Sequence, residues 1–225
     1  RYLADLSYRL SGSSIYGSDN RWGGFWSAGV GWNLHHEAFL KEAEWLRQFK
    51  LRASVGYTGS QNFNPYQAMA TYKYFTDAEY DNIVGAYLMG MANDKLKWQQ
   101  TRDVNVGFDV QLLKGMTVRF DYYVSNTDNL LVDFDLSGST GFNTFKENLG
   151  EVQNRGFDAT INWRVYENTK NDAYVTLFGS VSSNKNEIKK VDYEPTDALD
   201  MMREPTSNYK MGDTYNSLYA YRYAG

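Results

Sequence analysis

Both histidines of this chain stand side by side in His35-His36-Glu37, the one stretch where imidazoles and a carboxylate are neighbours. A closed zinc shell takes about four donors. With two histidines and no cysteine in the chain, nothing of that kind remains to complete one, so no metal site is expected. Asp128 with Asp133, and Asp77 with Asp81, have the spacing of carboxylates that share acid and base work, but neither pair is accompanied by a nucleophile or a third orienting group. "GSSIYG", residues 12 to 17, spaces its glycines like the start of a phosphate loop and lacks the Gly-Lys-Ser/Thr ending that grips phosphate. Serine, histidine and aspartate all occur, yet both histidines fall in a connection on the side opposite the long ones, which argues against a hydrolytic triad. No catalytic residue and no cofactor is expected.

Two other groups of residues suit binding rather than bond-making. Tyr66, Tyr72, Tyr74, Phe75, Tyr80 and Tyr87 gather within one connection, and such rings stack on sugars, clamp peptides or bury against a partner protein. Arg9, Arg52, Arg102, Asp109, Arg119, Asp121, Asp158 and Arg164 recur within alternating segments, where they would line a watery passage or pair across strands. The net charge of −4 is spread along the chain, with no basic stripe of the kind that binds nucleic acid.

The elements that must carry these residues are strands. Seven segments alternate apolar and polar side chains: residues 2–11, 22–34, 49–57, 104–112, 116–124, 157–165 and 173–181. Phe49, Leu51, Ala53, Val55 and Tyr57 show the pattern, against Lys50, Arg52, Ser54, Gly56 and Thr58. Each segment is close to the roughly 9 to 11 residues that a tilted strand needs to cross a bilayer. Mean hydropathy of −0.60 is compatible with that, because only alternate residues need be apolar. Aromatics make up 16% of the chain and cluster near the ends of the apolar faces, as in Tyr2 and Tyr8 or Trp22 and Trp32, where two interfacial girdles would lie. Leu6, Val30, Val55, Val106, Val118, Ile161 and Val175 are expected to face lipid.

Short connections, Leu113 to Gly115 and Tyr166 to Asp172, alternate with long ones at 12–21, 61–101, 126–155 and after 183. That rhythm matches short periplasmic turns and longer external loops. Residues 35–48 then form a periplasmic connector, and Phe39, Ala43 and Leu46 predict a short amphipathic turn of helix there. A soluble sandwich also alternates, which leaves a soluble or surface-attached β-rich carbohydrate-binding module as the alternative, with a small outer-membrane barrel enzyme third.

Several stretches carry a resemblance in a consistent order: "SGSSIYGSDNRWGGFWSAGVGWNLHHEAF", "FKLRASVGYTGSQ", "NDKLKWQQTRDVNVGFDVQLLKGMTVRFDYYVSNTDNLL" and "TGFNTFKENLGEVQNRGFDATINW", with "SLYAYRYAG" near the end. They resemble the barrel of the SusC-like (SusC/RagA) TonB-dependent outer-membrane transporters. The resemblance implies an all-β fold, an antiparallel transmembrane β-barrel of about 22 strands closed by a plug. Residues 1–225 would then be an incomplete section of that one barrel domain, the plug and the TonB-contacting region lying outside it. It further implies active import of oligosaccharides, peptides or other bulky nutrients across a bacterial outer membrane. The implied partners are a SusD-like surface lipoprotein, the TonB energising complex, outer-membrane lipid and the solute.

Overall fold

The computed structural model describes residues 1–16, 18–60, 68–81, 83–112, 115–142, 144–168, 173–191, 210–214 and 217. Nine strands account for most of them: β1 Tyr2–Gly12, β2 Trp22–Asn33, β3 Leu46–Ser60, β4 Thr71–Tyr80, β5 Ile83–Gly90, β6 Gln99–Leu112, β7 Met116–Asp135, β8 Thr144–Asn168 and β9 Ala173–Val191. Seven form one antiparallel sheet in the order β1-β2-β3-β6-β7-β8-β9, while β4 and β5, among the described residues, pair only with each other. Neighbours in the large sheet are therefore neighbours in sequence once the β4-β5 hairpin is set aside. The sheet is an open section, since β1 and β9 do not pair with one another.

Period two and this register sort the side chains onto two faces. Ala53 lies between Val30 and Val106, and Phe120 between Phe108 and Ala159, so apolar residues meet apolar residues across five strands. Phe108, Phe120 and Phe157 stack along that face at centroid separations of 5.5 and 6.1 Å, and Phe49 meets Phe108 edge-on at 6.4 Å. No second sheet covers it among the described residues: Leu6 is 81% exposed, Val106 53% and Val181 63%. A sandwich would have buried these residues.

The register also carries the tilt. A line at right angles to the strands from Leu6 passes through Ala28, Val55, Val104 and Val124, then meets Arg155 and Lys185. The apolar residues of β8 lie lower, around Ile161, whose row runs back through Val118 and Val110 to Phe49. Such a band steps along the register only when strands cross it obliquely, which is the shear of a barrel wall.

Several boundaries differ from those expected. Residues 126–155 are not one long loop: β7 runs on to Asp135 and β8 begins at Thr144, so the hairpin continues beyond the apolar band. Asn129, at φ 57°, sits in a bulge of that extension, where the register shifts between Thr127 and Leu130. Likewise β9 continues past residue 183 to Val191. The span 61–101 contains the β4-β5 hairpin and the start of β6. The turn residues Leu113 and Lys114 and the connection 169–172 lie outside the described residues.

The connector 35–48 also departs from its expectation. A 3-10 turn at Leu34–His36 is followed by a hydrogen-bonded turn, with Leu40 and Lys41 N–H donating to the Glu37 carbonyl, but it does not bury the apolar side expected of it, since Phe39 stays exposed. The segment is held by Glu37 instead. Its buried carboxylate accepts from Trp32 Nε1 at 2.8 Å, Arg1 Nε at 2.6 Å and Tyr2 Oη at 3.1 Å, and forms an ion pair with Arg1. His35 Nδ1 lies 3.3 Å from the Phe49 backbone N–H that donates to it, tying the connector to β3. Because the two histidines occupy a turn rather than a strand, their rings do not point apart but meet at 4.0 Å, and the neighbouring His35 lowers the His36 pKa.

Val118 and Arg119 are adjacent in β7 and belong to opposite faces, opposite Val110 and Asp109 respectively. An arginine on the apolar face near mid-bilayer costs about 2 to 4 kcal/mol, whereas one on the polar face need not be desolvated. Val118→Arg should therefore reduce heat-modifiable, membrane-inserted protein, and Arg119→Ala should leave it near the wild-type amount. Equal yields of the two variants would count against the assignment of faces.

Candidate functional site

The polar face is a wall of charge in the middle and of aromatic rings at its outer end. In the middle, β3, β6 and β7 bring Arg52, Asp109, Arg119 and Asp121 together. Arg52 Nε lies 2.9 Å from Asp109 Oδ2 and its Nη2 3.0 Å from Asp121 Oδ1, while Arg119 Nε contacts Asp109 Oδ1 at 2.8 Å. Gly107 makes the diagonal contact possible. It stands between Arg52 and Asp121 in the register, and a Cβ there would come within 2.3 Å of an Asp121 carboxylate oxygen. Asp158 faces Asp121 from β8 and is exposed. With Lys50 opposite Asp109 in β3, three cations and three carboxylates meet on this part of the wall. Partly exposed pairs of this kind contribute little to stability, but they hold charged ends at set positions on the wall.

Toward the outer rim, the aromatic cluster Tyr16, Phe25 and Trp98 is the buried core of the section. Trp98 stacks on Tyr16 at 4.2 Å and meets Phe25 edge-on at 5.3 Å. The Phe25 ring lies so close to β3 that a Cβ on Gly59 would approach it to 2.1 Å, which only glycine permits. Tyr16 donates its hydroxyl to the Ser60 carbonyl at 2.9 Å, and burial pushes its phenol pKa up to about 12. Residues 91–98 descend as a strap between the β1-β2 connection and the β7-β8 hairpin. Lys97 N–H donates to Asn148 Oδ1 at 2.8 Å and Asn148 Nδ2 returns a bond to the Lys97 carbonyl at 3.1 Å. Asn93 Nδ2 reaches the Lys146 carbonyl at 2.7 Å, and Asn20 Nδ2 the Lys95 carbonyl at 3.4 Å.

Most of the charged residues picked from the alternation share this wall. Arg9 lies opposite Phe25, and Arg164, farther down β8, reaches Glu167 at 3.2 Å and covers the Tyr174 ring at 5.4 Å. Arg102 does not share it. It lies opposite Tyr57 and Asn126, in phase with Val104 and Val106, so the same period of two carries it to the apolar face. There it stands level with Tyr8, Trp26 and Tyr57, a row where a guanidinium meets the interface.

The six rings chosen from 66–87 are not brought into one site. Tyr72, Tyr74, Phe75 and Tyr87 lie on the β4-β5 hairpin and are exposed, with Phe75 and Tyr87 5.2 Å apart. Tyr66 and the side chain of Tyr80 lie outside what is described, as do the side chains of Asp77 and Asp133. The residues that sequence reasoning missed are Phe25, Trp98, Asn93 and Asn148. Phe25 held the clearest signal, an aromatic out of phase with Trp22, Trp26 and Ala28.

The family model described as "TonB dependent receptor-like, beta-barrel" matches residues 1–224. TonB-dependent receptor SusC of Bacteroides thetaiotaomicron is 32% identical over 240 residues, covering 99% of this chain and 24% of that protein. TonB-dependent receptor P3 of Formosa agariphila is 31% identical over 232 residues, covering 100% of this chain and 23% of the relative. The chain therefore spans about a quarter of the length of these curated relatives. Among solved structures, the RagAB peptide importer in its closed-closed state superimposes with a TM-score of 0.77 at 26% identity, over 85% of this chain and 21% of that one. The apolar and polar faces, the tilted register and these likenesses have one explanation: the chain belongs to the TonB-dependent receptor β-barrel family of the outer membrane.

Proposed function

We propose that the protein containing this section imports a bulky nutrient, an oligosaccharide or a peptide, across the outer membrane in a TonB-dependent manner, as the transporter of a SusCD-type complex. The observation that carries the reading is the two-faced wall, apolar toward lipid and charged and hydroxyl-bearing toward the interior, in a chain of this family. A solute captured at the outer loops passes along the polar wall once a plug is drawn aside by the energised periplasmic partner. No covalent step is needed; the wall supplies contacts and the barrel supplies the route. The RagAB peptide importer supports a peptide solute, and the exposed rings of the β4-β5 hairpin suit a sugar equally well.

A surface lipoprotein of the SusD type is the proposed outer partner, with the β4-β5 hairpin as part of its seat. Isolated two-stranded hairpins are marginal in water, and this one exposes Tyr72, Tyr74, Ile83, Tyr87 and Met89 without pairing to the large sheet. Exposed apolar groups gathered in this way mark interaction surfaces.

Two outcomes follow. Cells carrying the full transporter should accumulate its solute only while TonB is functional; accumulation unaffected by TonB loss would refute import of this kind. Replacing residues 71–90 by a short Gly-Ser link should leave the barrel inserted but strongly reduce co-purification of the lipoprotein. Undiminished co-purification would show that the seat is elsewhere.

A further inference from the structure

The outer end of the polar wall contains a cavity of about 500 Å³, lined among others by Ser7, Arg9, Ser11, Phe25, Thr58 and Trp98. That volume is within the range of sites that take small molecules or segments of larger ones, roughly 300 to 1,000 Å³. Its chemistry is mixed in an informative way. Phe25 and Trp98 are buried and form an apolar base, whereas Arg9 is exposed and, among the described residues, has no ion pair or hydrogen-bond partner. This contrasts with Arg52 and Arg119 on the same wall, which are held by Asp109 and Asp121. Among the described residues, the buried indole N–H of Trp98 has no acceptor, an arrangement that proteins seldom leave unanswered. Hydroxyls complete the lining, with Ser7 and Ser27 already bonded to each other at 2.6 Å across β1 and β2.

We infer that this cavity is a subsite for a carboxylate-bearing unit of the transported solute, with Arg9 as the carboxylate's partner and the Phe25-Trp98 base beneath the attached ring or chain. The inference rests on the import reading above and deepens it. A guanidinium presents parallel N–H groups that fit a carboxylate in bidentate fashion, and the hydroxyl of Ser11 supplies a further donor. Position supports a solute rather than a structural carboxylate. The cavity adjoins the 91–98 strap at the outer rim, where a solute enters, whereas the paired charges lie nearer the middle of the wall. The carboxylate belongs to either an acidic sugar or a peptide, and the same cation serves both.

The test uses the full transporter purified with its lipoprotein, in detergent, and two matched probe pairs: trigalacturonate against its methyl ester, and a tetrapeptide with a free C-terminus against its amide. At least one acid should bind about tenfold more tightly than its neutral counterpart, the difference expected of a charge-assisted hydrogen bond. Arg9→Gln should erase that preference, Arg9→Lys should restore part of it, and affinity for the neutral probe should change less than about twofold. The pair that shows the effect identifies the source of the carboxylate. Absence of an acid preference in both pairs, or a preference that survives Arg9→Gln, overturns the subsite. Binding to the purified complex needs no energy source, so failure of TonB-dependent accumulation in cells would strike the import reading alone. Arg9 is exposed, and heat-modifiability of the variants verifies that they have folded.

Discussion

Within hydrocarbon, a peptide N–H or carbonyl has no water to bond, and each unmet group costs several kcal/mol. Everything in this section follows from pairing those groups between successive strands. Once β1-β2-β3-β6-β7-β8-β9 are laid side by side in antiparallel register, alternate side chains are committed to opposite faces. The lipid face is then obliged to be apolar, and Ala53, Val106, Phe108 and Phe120 satisfy it. The other face is released from that demand and can hold charge.

What the polar face does with this freedom changes along the strand. In the middle, Arg52 and Arg119 are occupied by Asp109 and Asp121, and Gly107 gives up its side chain so that the diagonal can close. At the outer end the wall receives loop residues: Trp98 and Tyr16 fold in over Phe25, and the 91–98 strap links the β1-β2 connection to the β7-β8 hairpin. Contact between distant parts of the chain is therefore concentrated at the mouth. The β4-β5 hairpin projects from the same region without a sheet partner. The β4-β5 hairpin and the seven-stranded wall are separate sheets, joined in sequence by the 91–98 strap.

The strands and their faces were legible because period two is a local signal that a bilayer enforces from both sides. Val104 to Leu112 and Met116 to Val124 needed no tertiary information. Strand ends were less legible. Past the apolar band, Asn126 and Asp128 put polar residues in the apolar phase of β7 and Asn129 sits in a bulge, so the alternation that resumes at Val132 and Phe134 does not read as the same strand running on to Asp135. Arg102 was assigned by its charge, yet the pleat places it with Val104; where chemistry and phase disagree, the backbone decides. The Glu37 cluster and the Asn148-Lys97 exchange were out of reach, because each joins residues whose proximity is created by the fold. In Phe25 and Trp98 the signal existed as aromatics out of step with their strands, but it could be read only with the loop that covers them.

The assignment of faces is tested most directly by spin labels placed one at a time along β6, from Val104 to Gln111, in the full transporter reconstituted in bilayers. Collision with oxygen, which concentrates in lipid, and with a water-soluble nickel chelate, which does not, should alternate residue by residue. Labels at 104, 106, 108 and 110 should favour oxygen, and those at 105, 107, 109 and 111 should be shielded from it. A smooth profile with no period of two, or one in the opposite phase, would contradict the account.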